Sequence, residues 1–185
     1  MDEQIIADVE QWLDEVVIGL QLCPFAATPR REGRVRITVS HARSDEALLE
    51  DLQSELEHLS DTPVEELETT LLVIADMLDD FHDYNDFLDA VDLWLEQFGW
   101  EGELQVASFH PRYQFADTDA DEPGNLTNRS PWPLLHLLRE DSLEQAIAEF
   151  DARFGSVDDI PARNIARMEA LSADERRRLF PYLFG

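Results

Sequence analysis

Two segments of the chain concentrate the side chains that could do chemistry. The first, Phe109-His110-Pro111-Arg112-Tyr113-Gln114-Phe115, sets a titratable imidazole beside a cation and a phenol. The second, Asn125-Leu126-Thr127-Asn128-Arg129-Ser130-Pro131, adds amides, hydroxyls and another cation, and His136, Arg139 and Glu140 follow it. The unperturbed pKa of histidine lies near working pH, which makes His110 the candidate general acid or base, with Glu140 and His136 as proton-relay partners. Arg112, Arg129 and Arg139 can each grip a carboxylate or phosphate through two parallel N–H donors. Tyr113, Asn125, Asn128 and Ser130 can orient what the arginines hold. The chemistry indicated is recognition of an anionic small molecule, either by an enzyme acting on a phosphate- or carboxylate-bearing metabolite or by a non-catalytic module that binds a metabolite or a protein. The same residue types also cap turns and pair with neighbouring carboxylates, so each has a structural use as well.

Other motifs carry less. Cys23, in Leu22-Cys23-Pro24-Phe25-Ala26, is a candidate nucleophile that resembles the single-cysteine site of some glutathione transferases. That fold needs a strand just before the cysteine, and here an apolar helix pattern precedes it. The plainer expectation is a buried thiol where Pro24 stops the first helix. Asp79-Asp80-Phe81-His82-Asp83 matches the acid spacing of a magnesium motif, but among 41 acidic residues such a match arises by chance. His110 and His136 could join Asp117, Asp119 or Asp121 on a metal, yet no tight spacing supports this and no metal site is assigned. Neither a Gly-x-Ser-x-Gly elbow nor a Gly-x-Gly-x-x-Gly turn is present, and the residues name no cofactor.

The charge excludes more than it suggests. Of 185 residues, 41 are acidic and 14 basic, for a formal net charge of -27, and every basic residue is arginine. Without lysine there is no Schiff-base chemistry and no Walker-A loop. One cysteine cannot form an intrachain disulfide or a Cys-rich zinc site. A surface so negative repels the phosphate backbone, which argues against nucleic-acid binding. No apolar run reaches the roughly 18 residues needed to span a bilayer. Met1-Asp2-Glu3 is acidic where a secretory signal is basic, so a cytoplasmic protein without a membrane partner is expected. Arginine in place of lysine with abundant carboxylates also fits a salt-tolerant host.

Hydrophobic periodicity supplies the elements that must position these groups. Ile5, Val9, Trp12, Leu13, Val16, Val17 and Leu20 predict an amphipathic helix over about 3–20. Val35, Ile37 and Val39 alternate as a strand, and Ser44 caps a helix carrying Leu48, Leu52, Leu56 and Leu59. Thr70 to Ala75 reads as a strand buried on both faces. A helix from about Tyr84 to Phe98 ends at Gly99, and a further strand ends near Phe109. Residues 110–132 lack periodicity, Leu134 to Leu138 is read as a fourth strand, and Ser142 with Gln145 suggests a capping box. Two more helices open at Pro161 and at Ser172 with Glu175, and an aromatic tail, Leu179 to Phe184, could pack on its own chain or dock on another subunit. Alternating strands and helices imply an α/β fold (α+β as the alternative): one domain over 1–185, two or three layers, with a mixed sheet of three to four strands.

The Leu22 to Ala26 motif, the Phe109 to Phe115 segment and the Asn125 to Glu140 segment, in this order, resemble the domain-of-unknown-function family numbered 1415 (DUF1415) of bacteria and plants. The resemblance spans nearly the whole chain and implies a cytoplasmic single-domain protein. It supplies no activity, cofactor or catalytic residue.

Self-repulsion at this charge predicts a fold more stable in salt than in dilute buffer. Melting temperature should rise between 0.05 and 1 M NaCl, and a fall over that range would show that surface repulsion does not limit stability.

Overall fold

The computed structural model describes residues 1–184. A four-stranded mixed sheet forms its middle layer, in the order β1-β2-β4-β3. β1 (Val35–Ser40), β2 (Thr69–Ile74) and β3 (Leu104–Phe109) run the same way, and β4 (Leu134–Arg139) lies antiparallel between β2 and β3. The ends of β1, β2 and β3 therefore share one edge of the sheet with the start of β4. That edge carries His110, the first residue after β3.

Two helices build the first face. α3 (Asp45–Asp61) buries Leu48, Leu52, Leu56 and Leu59, four residues on one helical stripe, and α4 (Phe81–Phe98) buries Tyr84, Phe87, Val91 and Leu95. Their starts follow the sequence: the Ser44 hydroxyl accepts from the Ala47 N–H, and the Asp80 carboxylate accepts from the N–H groups of His82 and Asp83. Asp80 is thus a helix cap. Gly99 ends α4 at φ 76°, a left-handed conformation that costs glycine nothing. Both crossovers, β1–α3–β2 and β2–α4–β3, lie on this face. The sheet consequently lacks the point where helices leave to opposite faces and open a ligand crevice.

The second face is covered by α1 (Asp2–Trp12), its π-helical continuation Leu13–Ile18, α6 (Ile160–Ala170) and α7 (Ala173–Leu179), around Ile5, Val9, Trp12, Val16, Leu71, Val73, Leu134, Met168 and Phe180. β2 lies between the two cores, and all six of its residues are buried, Thr69 and Thr70 together with the apolar run 71–74. The first helix stops at Ile18 rather than near 20. Leu20, Gln21 and Leu22 turn away, Gln21 at φ 53°, and the short α2 (Ala27–Arg31) follows. The expected capping box at Ser142 and Gln145 does not form. α5 (Glu140–Phe154) starts directly from the last residue of β4, and Ser142 lies inside its first turn. Ser172 and Glu175 do make the reciprocal box at the start of α7.

The aromatic tail folds back on its own chain, with Leu179 and Phe180 buried in the second core. Among the described residues no helix is long and apolar enough to cross a membrane.

Tyr84 ties α4 to the site-bearing edge. Its buried hydroxyl donates to the Leu134 carbonyl at 2.8 Å and accepts from the Phe109 N–H at 3.1 Å. Tyr84→Phe leaves both groups unpaired and should cost about 2–4 kcal/mol, against about 1 kcal/mol for Ser44→Ala. Urea denaturation at fixed salt ranks the two, and equal losses would refute the bridging role of Tyr84.

Candidate functional site

The long loop leaving β3 is built around His110. The imidazole is fully buried beside Phe81 and Tyr84, with ring centroids 5.4 and 5.0 Å away. Its Nδ1 accepts from the Arg112 N–H at 2.9 Å and its Nε2–H faces the Leu78 carbonyl at 3.0 Å. This pattern requires the neutral ring, because a proton on Nδ1 would meet the Arg112 N–H. Burial pushes the pKa of His110 down in the same sense. The Leu78 that it holds sits at φ 60°, an unfavourable conformation for a residue with a Cβ. His110 also donates its backbone N–H to the Asn128 carbonyl, so one residue joins the β2–α4 turn to both ends of the loop.

The polar residues beyond it are consumed in the same way. Buried Asn125 accepts at Oδ1 from the Phe115 N–H and the Thr118 hydroxyl, and donates from Nδ2 to the Asp119 carbonyl at 2.8 Å. Asn128 donates to the Ser108 carbonyl at 3.2 Å, and the Ser130 hydroxyl to the Trp132 carbonyl at 2.6 Å. Residues 123–128 wind into a 3-10 turn against α6, so the stretch without periodicity is nonetheless regularly bonded.

Arg129 differs. It is half-buried, donates from Nε to the Tyr113 carbonyl at 3.1 Å and from Nη2 to the Ala120 carbonyl at 2.7 Å, and leaves Nη1 open. Among the described residues no carboxylate pairs with it, and burial pushes its pKa below the ordinary value. Its own carbonyl accepts from Trp12 Nε1–H and from the Tyr182 hydroxyl, both at 3.0 Å. The first helix and the C-terminal segment therefore converge on this residue. Arg112, next to the Tyr113 carbonyl that Arg129 uses, is exposed and donates to the Asp79 carbonyl. The Tyr113 ring leans on Phe81 and Phe115.

The family model for "Protein of unknown function (DUF1415)" matches residues 4–178, a span that takes in Cys23, the loop and the arginines. The chain belongs to the DUF1415 family. No curated protein and no solved structure matches it.

Against this frame, the DUF1415 chain does not bring all the sequence candidates together. Arg139 and Glu140 lie at the far end of β4, opposite the edge that carries His110. The Arg139 guanidinium donates to the carbonyls of Leu59, Thr62 and Leu67, closing the C-terminus of α3, and so is not an anion ligand at the loop. Glu140 donates its backbone N–H to the Glu103 carbonyl at 3.0 Å beside the same strand ends, too far along the sheet to relay protons to His110. His136 sits mid-strand on the second face, where Thr69 Oγ1 accepts from its Nε2–H at 2.8 Å and donates to the Leu137 carbonyl. Burial pushes its pKa down to about 4. With both ring nitrogens spent on backbone groups, His110 offers neither a free base nor a spare donor. Among the described residues no three His, Cys, Asp or Glu side chains converge as a metal site. The Cys23 thiol is raised by burial, although the N–H groups of Phe25 and Ala26 point at it and act in the opposite sense.

Trp12 and Tyr182, which fix Arg129, were not legible as site residues. Trp12 reads as one more apolar position on the first helix, and it lies 117 residues from its acceptor.

Buried His110 and half-buried His136 couple stability to pH with the same sign. The unfolded chain takes up a proton on each near pH 6.5, while native His136 resists until about pH 4. Stability should thus be complete above pH 6.5 and fall as the pH drops through that window, by up to roughly 3 kcal/mol for His136. Denaturation of wild type and His136→Gln at pH 7 and pH 4.5 reads the difference. Equal pH slopes in the two proteins would contradict it.

Proposed function

We propose that this protein binds a small anionic metabolite, bearing phosphate or carboxylate, at the loop after β3, with Arg129 as the anchoring cation and Arg112 and Tyr113 beside it. The observation that carries this reading is the state of Arg129. In a chain with 41 carboxylates, a half-buried guanidinium is held by two carbonyls, lacks an acid partner among the described residues and keeps one nitrogen open. A half-buried cation without a counter-ion is only partly compensated, and an anionic ligand would complete that compensation. The carbonyl contacts hold the fork in place beforehand, so little side-chain entropy remains to be lost on binding. Arg112, one residue from the Tyr113 carbonyl, is a second cation, exposed and bonded to the Asp79 carbonyl. In so negative a protein an arginine without an acid partner is a local attractive point for anions.

The geometry favours binding over catalysis by His110. A buried neutral imidazole with both nitrogens engaged cannot move a proton to a ligand without dismantling the turn at Leu78. Its contribution is to hold the loop in the shape that presents Arg129.

The test is a thermal-shift and calorimetric titration with inorganic phosphate, pyrophosphate and citrate at constant sodium chloride. A ligand at about 100 times its dissociation constant should add roughly 2.7 kcal/mol of stability. Arg129→Lys keeps the charge but loses the forked geometry, and should weaken binding at least tenfold while remaining folded. If no anion stabilises the wild type, or if Arg129→Lys binds as well as the wild type, Arg129 is a loop staple and the proposal fails.

A further inference from the structure

A cleft of about 230 Å³ lies on the far side of the Arg129 backbone, between the first helix and the C-terminal segment. Its walls include Asp8, Gln11, Trp12, Glu15, Trp132 and Tyr182. Asp8, Gln11, Trp12 and Glu15 follow the i, i+3, i+4, i+7 spacing, so one helical face supplies them, with Glu15 already inside the π-helical segment Leu13–Ile18. Such π-helical segments are frequent at functional sites.

The chemistry of this wall is one-sided. All three aromatic residues have spent their polar hydrogens on protein acceptors: Trp12 Nε1–H and the Tyr182 hydroxyl on the Arg129 carbonyl, and Trp132 Nε1–H on Asp8 Oδ2 at 3.2 Å. Trp12 is buried in the second core and only borders the cleft, so the ring carbon open to it belongs to the half-buried Trp132 and Tyr182. The charged groups in the wall are carboxylates only. Asp8 is half-buried, and its partners are neutral, Trp132 and the Gln4 amide at 2.7 Å. Glu15 accepts from Gln11 at 3.1 Å and meets Arg178 at 3.2 Å, an ion pair at the rim with the arginine side chain 64% exposed. The Arg129 guanidinium is not part of the wall.

Aromatic carbon with adjacent carboxylates recognises organic cations, because ring quadrupole and formal charge both attract an ammonium group and the apolar walls shed water from its alkyl substituents. To an anion the wall offers only the second Gln11 amide N–H, because the Arg178 guanidinium at the rim is already paired with Glu15. We infer that this cleft is a second binding site, for a small organic ammonium ion of the quaternary or alkylammonium type. The volume suits a single ammonium head with a short substituent rather than a large ligand. A second copy of the chain cannot supply an ammonium side chain, since the sequence contains no lysine. The site is separate from the anion site, and each can fail without the other, because the variants that test them share no residue.

The experiment is a titration with choline and n-butylammonium chloride, followed by tryptophan fluorescence and calorimetry, with sodium chloride adjusted to hold ionic strength constant. That compensation removes the general attraction of a chain of charge -27 for every cation. Saturable binding is expected in the low-millimolar range or tighter. The uncharged choline isostere 3,3-dimethylbutanol should bind at least tenfold more weakly. Asp8→Asn/Glu15→Gln should weaken choline at least tenfold while melting cooperatively, since asparagine still accepts from Trp132. Glu15→Gln alone serves if the double variant does not fold, with a threefold or greater loss expected. A linear response, equal binding of the isostere, or undiminished binding in the variants would overturn the proposal. A lysine-containing peptide binding more than tenfold tighter than choline or butylammonium would overturn the assignment to a free small cation.

Discussion

A neutral imidazole enclosed at the end of β3 is the constraint on which the site-bearing edge depends. His110 has one nitrogen for accepting and one for donating, and the fold uses both on backbone groups from different segments. A protonated ring would lose the bond from the Arg112 N–H and carry a charge among Phe81, Tyr84 and the sheet. Neutrality is therefore built into the packing. The same contact holds Leu78 in its left-handed conformation, which sets the entry into α4, and α4 in turn delivers Tyr84 to the ends of β3 and β4. A single side chain thus links the crossover that precedes the strand to the loop that follows it.

The distribution of charge follows a second logic. Arginines on the periphery pair with carboxylates, as Arg30 does with Glu10 and Asp14, or Arg36 with Glu55. Such exposed pairs contribute little each but temper the repulsion of a highly negative surface. Arginines nearer the interior do something else. Arg129, Arg139, Arg167 and Arg176 all donate to main-chain carbonyls at loop or helix ends. Guanidinium suits that task because its planar fork reaches several carbonyls at once, which a lysine ammonium does less well. A chain without lysine accordingly spends these four cations on its own main chain, and among the described residues no carboxylate pairs with any of them.

Much of the architecture was legible because it depends on local pattern. The four strands, the leucine stripe of α3, its Ser44 cap and the Gly99 stop all follow from periodicity and from the conformations those residues favour. Belonging to DUF1415 was likewise readable from motif order, with the family model matching 4–178. The site was legible only in part. The segments around His110 and Arg129 do meet, but the hydrogen-bonding residues that looked like ligand contacts proved to bind the loop itself. Asn125 and Ser130 are examples, since an amide or hydroxyl in a long loop must satisfy buried backbone groups before it can serve a ligand. The supposed capping box at Ser142 failed because β4 passes into α5 without a connecting turn, a continuity that propensity does not register.

Local pattern and composition carried the order of the strands and main helices, the mixed α/β class, the excess of negative charge and the chemistries that an absence of lysine and a single cysteine forbid. Those are properties of composition and of neighbours within a turn or two. The tertiary structure decided which charges meet. Insertion of β4 between β2 and β3 sends Arg139 and Glu140 to the edge opposite His110, although only a short strand separates them from the loop in sequence. Contacts spanning 117 and 53 residues bring Trp12 and Tyr182 to the Arg129 carbonyl. Strand direction and long-range closure are set by the packing of both sheet faces at once, and no local pattern encodes them.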